Sequence, residues 1–126
     1  MVSFRNAVTM NLESLCNEVI NSDPKIRFIG ILNAKGDLEI QKNKNNNALL
    51  TGDEVKMSVH YTYERWNQLQ NLEYKLGKEI ASITEYENVI MISIVLEKKL
   101  FLLSIEPDAD YAKITANVKA LISKNQ

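Results

Sequence analysis

The sequence of 126 residues contains one cysteine, Cys16, and one histidine, His60. A single cysteine excludes an internal disulfide framework, and a reducing, cytoplasmic location is the natural expectation. With so few nitrogen and sulfur ligands, only carboxylates could complete a metal site, and the chain has neither an HExxH motif nor the spacing of an EF-hand loop. We therefore expect no metal site.

Long hydrophobic runs and an excess of charge of one sign are also missing. The longest nearly apolar stretch is VIMISIVL at residues 89–96, far short of the ~20 residues needed to span a bilayer. The N-terminal stretch has no apolar core of signal-peptide length. Because 15 basic residues are balanced by 16 acidic ones, with no basic and aromatic face, we expect neither a nucleic-acid partner nor a membrane span.

Motifs for catalysis or nucleotide binding are absent as well. The four glycines stand far apart, and no GxGxxG or P-loop is present, so no cofactor is expected. His60 with Glu64 one helical turn on could act as a general base, but a solvated histidine is the simpler interpretation. Cys16 lies beside Leu15 and Val19, as a small buried hydrophobe would. We expect a non-enzymatic protein, with unrecognised carboxylate chemistry as the remaining enzymatic alternative.

The composition is that of a folded globular chain, with 45% hydrophobic and 25% charged residues. We expect one domain over residues 1–126. Apolar residues spaced by three and four predict a first helix, which Asp23–Pro24 should end. These apolar residues are Phe4, Val8, Leu12, Leu15 and Val19.

The segment KIRFIGILN at residues 25–33 is apolar on both alternations, which is typical of a strand covered on both faces. Turn residues at 33–37 and the alternating DLEIQ at 37–41 predict a β-hairpin. The following KNKNNN, residues 42–47, has no apolar residue and is expected to be a mobile loop.

Thr51 and Glu54 have the spacing of a capping box, and Gly77 is suited to close the same helix. Polar breaks then separate strand-like stretches at 78–86, 89–97 and 99–106. Pro107 ends the last of them. Asp108 and Asp110 are expected to cap a final helix, whose apolar side carries Tyr111, Ile114, Val118, Leu121 and Ile122.

These elements predict an α+β fold in the order α-β-β-α-β-β-β-α. Both faces of the middle strands need cover, so we expect a three-layer α/β/α arrangement around a five-stranded antiparallel sheet.

This element order and the hairpin FIGILNAKGDLEI resemble the Roadblock/dynein light-chain family, which shares its architecture with profilins and longins. Gly30, Asn33, Gly36 and Ile40 are spaced as in the family's first hairpin. The chain is also similar to uncharacterised archaeal proteins of this size. The resemblance implies a homodimer or heterodimer in which the middle helix and the following strand meet their counterparts. It also implies a scaffold or regulator without a catalytic centre, often of small Ras-like GTPases.

The middle helix carries more apolar residues than one sheet can cover. At ~100° per residue, one side holds Val55, Val59, Trp66 and Leu69, while an adjoining side is apolar too. In the family's arrangement the next strand lies at a sheet edge, and its interior has no charge, proline or bulge to block pairing. We therefore expect a dimer interface, consisting of Met57, Tyr61, Leu72, Leu76, Ile80, Ala81, Ser82, Ile83 and Thr84.

Other uses of the surplus stay open. The Asn-rich segment or the strand edges could cover the second side within one chain, or tyrosine hydroxyls could make it tolerable in water. Trp66, with Tyr61 and Tyr63, could instead line a pocket in a monomeric, profilin-like small-molecule-sensing domain.

Overall fold

The structure is a computed structural model that describes residues 11–44 and 50–125. Its element order confirms the predicted α-β-β-α-β-β-β-α fold, with the middle helix continued by a 3-10 turn and a short helix. The elements are α1 (Leu12–Ile20), β1 (Ile26–Leu32), β2 (Leu38–Asn43), α2 (Gly52–Leu69), a 3-10 turn (Gln70–Leu72), α3 (Glu73–Leu76), β3 (Ala81–Glu85), β4 (Ile90–Leu96), β5 (Lys99–Ile105) and α4 (Tyr111–Lys124).

The strands form one open, five-stranded sheet in the order β2-β1-β5-β4-β3. All neighbouring pairs are antiparallel, as the sequence predicted. β1 and β5 lie in the middle, which explains why their residues are apolar on both alternations. β3 lies at one edge, next to β4 alone, where the resemblance had placed it.

Helices cover both faces of the sheet, and two hydrophobic clusters mark the layers. On one face, α1 and α4 pack against the strands through residues such as Leu15, Val19, Ile114 and Val118. On the other face, α2 lies over a smaller cluster. Its buried members are Leu32, Trp66, Leu100 and Leu102. The predicted three-layer α/β/α arrangement is confirmed.

The first helix begins later than the described part of its apolar pattern required. Asn11 caps α1, with its side-chain oxygen accepting from the Ser14 N–H at 3.0 Å. Phe4 and Val8, predicted on the same helix, lie outside the described residues. α1 ends at Ile20, before Asp23–Pro24 is reached.

The predicted loop at residues 42–47 is shorter at its start than expected. Lys42 and Asn43 belong to β2, because they pair with Ile29 and Phe28 of β1. Lys42 also forms an ion pair with Glu13 of α1, so its charge is matched across that face of the sheet. Residues 45–49 of this segment lie outside the described residues.

The capping box at the start of α2 is confirmed. The Thr51 hydroxyl accepts from the Glu54 N–H at 3.2 Å, and Glu54 accepts from the Thr51 N–H at 2.9 Å. The single helix expected up to Gly77 is wrong, since α2 ends at Leu69 and a 3-10 turn follows. Asn71 lies in that turn, where its poor helix propensity weakens a continuous helix.

Gly77 ends the helical region with a positive φ of 79°, which favours glycine. Its ψ of 178° is extended, so the chain leaves directly toward β3 instead of forming the left-handed helical cap that we expected.

Only one of the two predicted caps of the last helix is used. Asp110 caps α4, because its side chain accepts from the Lys113 N–H at 3.1 Å. Asp108 lies too far before Tyr111 to reach the helix, and it pairs with Lys25 at 2.8 Å. That hydrogen bond lowers the pKa of the Asp108 carboxyl and raises the pKa of Lys25.

Candidate interaction surface

α2 contacts the sheet through a narrow stripe of side chains. Trp66 is only 6% exposed and packs among Leu32, Leu100 and Leu102 of the central strands. The Tyr63 ring meets Trp66 edge to face, with ring centroids 6.3 Å apart, and Val59 packs against the same cluster.

Leu69, which the helical pattern placed on this side, is instead exposed. Packing of α2 on the sheet ends near Trp66, because no later residue of the helix belongs to the described cluster on this face.

The adjoining side of the helix is open to solvent in the single chain. Tyr61 is 65% exposed, and Leu76, in α3, is 76% exposed. Met57 and Leu72 are exposed as well. These are the four helical residues predicted to meet a partner, and the structure leaves all four of them uncovered.

The residues around β3 continue this open surface. Ile80 is 64% exposed and Ile83 is 40% exposed. Thr84 is exposed, while Ala81 and Ser82 are half-buried. The five strand residues predicted at the interface therefore lie at the edge of the sheet, but two of them are partly covered.

The hydrogen bonds to β4 define which backbone groups of β3 point outward. The Val95 N–H donates to the Ile80 carbonyl at 2.9 Å, and the Tyr86 N–H donates to the Val89 carbonyl at 2.9 Å. Ile80 and Tyr86 therefore direct their backbone groups toward β4. Because this direction alternates along an antiparallel strand, Ser82 and Thr84 do the same. The residues between them direct their N–H and carbonyl groups away from the sheet. They are Ala81, Ile83 and Glu85.

A polar contact fixes the helix relative to this edge. Arg65 Nη2 donates to the Ser82 hydroxyl oxygen at 3.0 Å, and the Ser82 hydroxyl donates to Glu79 Oε2 at 2.9 Å. Arg65 Nη1 lies 3.9 Å from the same Glu79 oxygen. The exposed side of the helix and the edge strand are thus parts of one surface with a defined geometry.

Two cavities are candidates for binding a small molecule. One, of about 80 Å³, lies between α2 and the β3–β4 pair, with walls that include Ser58, Thr62, Arg65, Thr84 and Ser93. It has room for only a few water molecules, each of which occupies about 30 Å³ in the liquid.

The other cavity, of about 290 Å³, lies at the tips of two hairpins. Its lining is mostly polar and charged, namely Asn33, Ala34, Lys35, Glu39, Lys98 and Lys99. Neither cavity is lined by Trp66, Tyr61 or Tyr63, the aromatic residues proposed for a ligand pocket.

The two residues weighed for catalysis lie far from a catalytic arrangement. His60 is exposed on the polar side of α2, with its ring 5.6 Å from that of Tyr61. Cys16 is fully buried, and burial, with a smaller effect of Glu13, raises the pKa of its thiol to about 11. A neutral, enclosed thiol is a poor nucleophile. Within residues 11–44 and 50–125, no three metal-binding side chains form a group.

None of the helices in the described part of the chain is long and apolar enough to cross a membrane. A family model described as "Family of unknown function (DUF6659)" matches residues 6–125, and the chain therefore belongs to this family. No curated protein matches the sequence.

The fold is similar to that of several solved proteins. The Roadblock/LC7 domain from Streptomyces avermitilis superposes with a TM-score of 0.69 and 10% identity, over 88% of this chain and 91% of that one. The gliding protein MglB from Thermus thermophilus has a TM-score of 0.71 and 13% identity, over 86% and 81%. An MglB solved in a tetrameric arrangement has a TM-score of 0.71 and 15% identity, over 93% and 82%. The Roadblock-like fold implied by the first hairpin is confirmed.

Proposed function

We propose that this member of the DUF6659 family is a non-enzymatic self-association module that presents a composite surface to a protein partner. The observation that carries the proposal is the continuity between the open side of α2–α3 and the open edge of β3, which Arg65 and Ser82 join.

The exposed apolar side chains favour burial against another molecule. Soluble monomers rarely expose contiguous apolar patches beyond a few hundred Å². Here large apolar residues follow one another along the helix and onto the edge strand, from Met57 and Tyr61 through Leu72 and Leu76 to Ile80. A two-fold axis would bury the same patch on both copies, which is the commonest symmetry of soluble assemblies.

The fold similarity supports the same function. One MglB of this fold was solved in a tetrameric arrangement, so a chain of this shape can self-associate. A small Ras-like GTPase is the partner class that the Roadblock resemblance implies for the composite surface. The balanced charge of the chain gives no support for a nucleic-acid partner, and its single cysteine agrees with a cytoplasmic location.

Light scattering behind size-exclusion chromatography, over a hundredfold concentration range, tests self-association. We expect a mass about twice the chain mass of 14.4 kDa at the upper concentrations. A mass of one chain at every concentration would contradict the proposal.

The alternative is a monomeric small-molecule-sensing domain, and its support is the cavity lined by Ser58, Thr62, Arg65 and Ser93. Its volume of about 80 Å³ is well below the ~300 Å³ at which ordinary ligand pockets begin. A thermal-shift screen separates the two functions, because a ligand that binds only the folded chain raises the melting temperature. A hit on a monomeric protein would favour the sensor.

A further inference from the structure

We propose that a second copy of the chain pairs antiparallel with β3 about a two-fold axis that passes through Ile83, so that Ile83 faces Ile83 of the second copy. The inference rests on the proposed function, because it needs self-association. It adds the register of the contact, which decides which side chains meet.

The outward backbone groups restrict where the axis can lie. Ala81, Ile83 and Glu85 direct their N–H and carbonyl groups away from β4. In an antiparallel pair, outward residues must stand opposite outward residues, because each such pair exchanges both hydrogen bonds. A two-fold axis that passed between two residues would set an outward residue against an inward one. The axis must therefore pass through a residue.

Among residue-centred registers, only an axis at Ile83, the middle residue of β3, pairs the whole strand with itself. Ala81 then stands opposite Glu85 of the second copy, and Ser82 stands opposite Thr84. An axis at Ala81 would carry Glu85 to Gly77, whose positive φ interrupts the extended chain.

The side chains disfavour the remaining registers. An axis at Glu85 sets that carboxylate against itself, and an axis at Ser82 sets Glu79 against Glu85 of the second copy. Like charges that stand directly opposite each other are destabilising. An axis at Thr84 sets the half-open Ile83 against Glu85, so an apolar side chain meets a charge twice.

The Ile83-centred register pairs like with like. Ile83 meets Ile83 on the α1–α4 side of the sheet, where its neighbour on β4 is the buried Ile92. On the α2 side, the hydroxyls of Ser82 and Thr84 meet, and such pairs hydrogen-bond across strands. Just beyond the strand, the exposed Ile80 stands opposite the exposed Tyr86 of the second copy, which is a favourable aliphatic–aromatic pair.

Single-cysteine cross-linking tests the register, because one cysteine per chain can form a symmetric disulfide only near the axis. The variants are Ile83→Cys, Ser82→Cys and Thr84→Cys, each treated with diamide and separated on a non-reducing gel. Residues in a hydrogen-bonded antiparallel pair have Cα atoms about 5.5 Å apart, inside the range of about 4.4–6.8 Å that a disulfide spans. The buried Cys16 stays in all variants, and the wild type measures its background.

We expect Ile83→Cys to form most of its protein as a dimer that a reducing agent reverses. Ser82→Cys and Thr84→Cys should cross-link poorly alone and several-fold better when mixed, because the register sets one opposite the other. Asn67→Cys, on the exposed polar side of α2, is the control for links made by random collision.

The light-scattering mass separates failure of the register from failure of the function. If the wild type is dimeric and Ser82→Cys or Thr84→Cys is the variant that links to itself, the axis lies elsewhere and this inference is wrong. A dimeric protein in which no edge variant links above the Asn67→Cys level also overturns it, while the proposed function stands. A monomeric wild type removes both.

Discussion

Arg65 donates a hydrogen bond to the Ser82 hydroxyl oxygen at 3.0 Å, which joins the middle of the long helix to the edge strand. Arg65 is about half exposed, so the contact is worth at most ~1 kcal/mol of stability. Its consequence is geometric. It holds the open side of α2 and the open edge of β3 at one relative position, so that a second copy can meet both at once.

Replacing Tyr61 with glutamate is expected to give a folded monomer. The change puts a carboxylate on the side of α2 that self-association would bury, and an uncompensated buried charge costs about 3 kcal/mol or more. That cost corresponds to a dissociation constant at least ~100-fold weaker. The mass from light scattering and the circular dichroism spectrum measure assembly and folding separately.

Lys56→Glu is the matched control for Tyr61→Glu, because Lys56 is exposed on the polar side of the same helix. It should leave the assembly unchanged. A Tyr61→Glu protein that remains dimeric would remove this side of α2 from the interface.

Loss of the capping box should weaken the fold and leave the interface side chains in place. Thr51→Ala removes the oxygen that accepts from the Glu54 N–H, and we expect the free energy of unfolding to fall by about 1 kcal/mol. Thr51→Ser keeps a hydroxyl and should retain most of that stability. Urea unfolding of the three proteins measures the difference, and equal midpoints would show that the cap contributes nothing.

Two glycines should respond in opposite ways to alanine. Gly36 has φ +89°, and an added Cβ would lie 3.3 Å from the Tyr63 ring. Gly36→Ala should therefore destabilise the protein by about 1–2 kcal/mol through backbone strain, with crowding in addition. Gly52 begins α2 with open space around it, so Gly52→Ala should be neutral or stabilising by up to ~1 kcal/mol. Thermal unfolding compares the pair, and equal melting temperatures would contradict this.

The Cys16 thiol should react slowly in the native protein. Burial raises its pKa from 9.0 to about 11, so the thiolate is about 100-fold scarcer than in the unfolded chain at mildly alkaline pH. Reaction with a chromogenic disulfide reagent should be slower than in denaturant by at least that factor. An equal rate in both states would show that the thiol is accessible.

The same shift gives a pH dependence with a definite sign. Between pH 9 and about 11 the folded chain keeps the Cys16 proton that the unfolded chain releases. The stabilisation is therefore complete below pH 9 and is lost as the pH rises toward 11. Cys16→Ala should show a shallower loss of stability than the wild type over this range, measured by urea unfolding at each pH.

Local signals in the sequence predicted most of the fold. The capping-box pair Thr51 and Glu54 was correct because its partners are three residues apart and need no tertiary context. The doubly apolar pattern of Ile26–Leu32 identified a central strand for the same reason. The edge position of β3 came from the family resemblance, since pairing between distant strands leaves no local trace.

The remaining errors concern distances along the chain that side-chain type does not reveal. Asp108 and Asp110 are equally good caps by composition, and only the start of α4 at Tyr111 selects Asp110. Leu69 has the right spacing for the sheet-facing stripe, but packing on the sheet ends near Trp66 and leaves it exposed. A helical pattern therefore predicts which residues share a side, and it does not predict how far the sheet extends beneath them.

Residue-resolved amide hydrogen exchange of Ile83 tests the central claim most directly. Its N–H points away from β4, so only a second copy can protect it, while the Ser82 N–H faces β4 and serves as the internal control. The account predicts that Ile83 is protected in the concentrated protein and loses protection in Tyr61→Glu, with Ser82 much less affected. Rapid exchange of Ile83 in a sample that light scattering shows to be dimeric would contradict it.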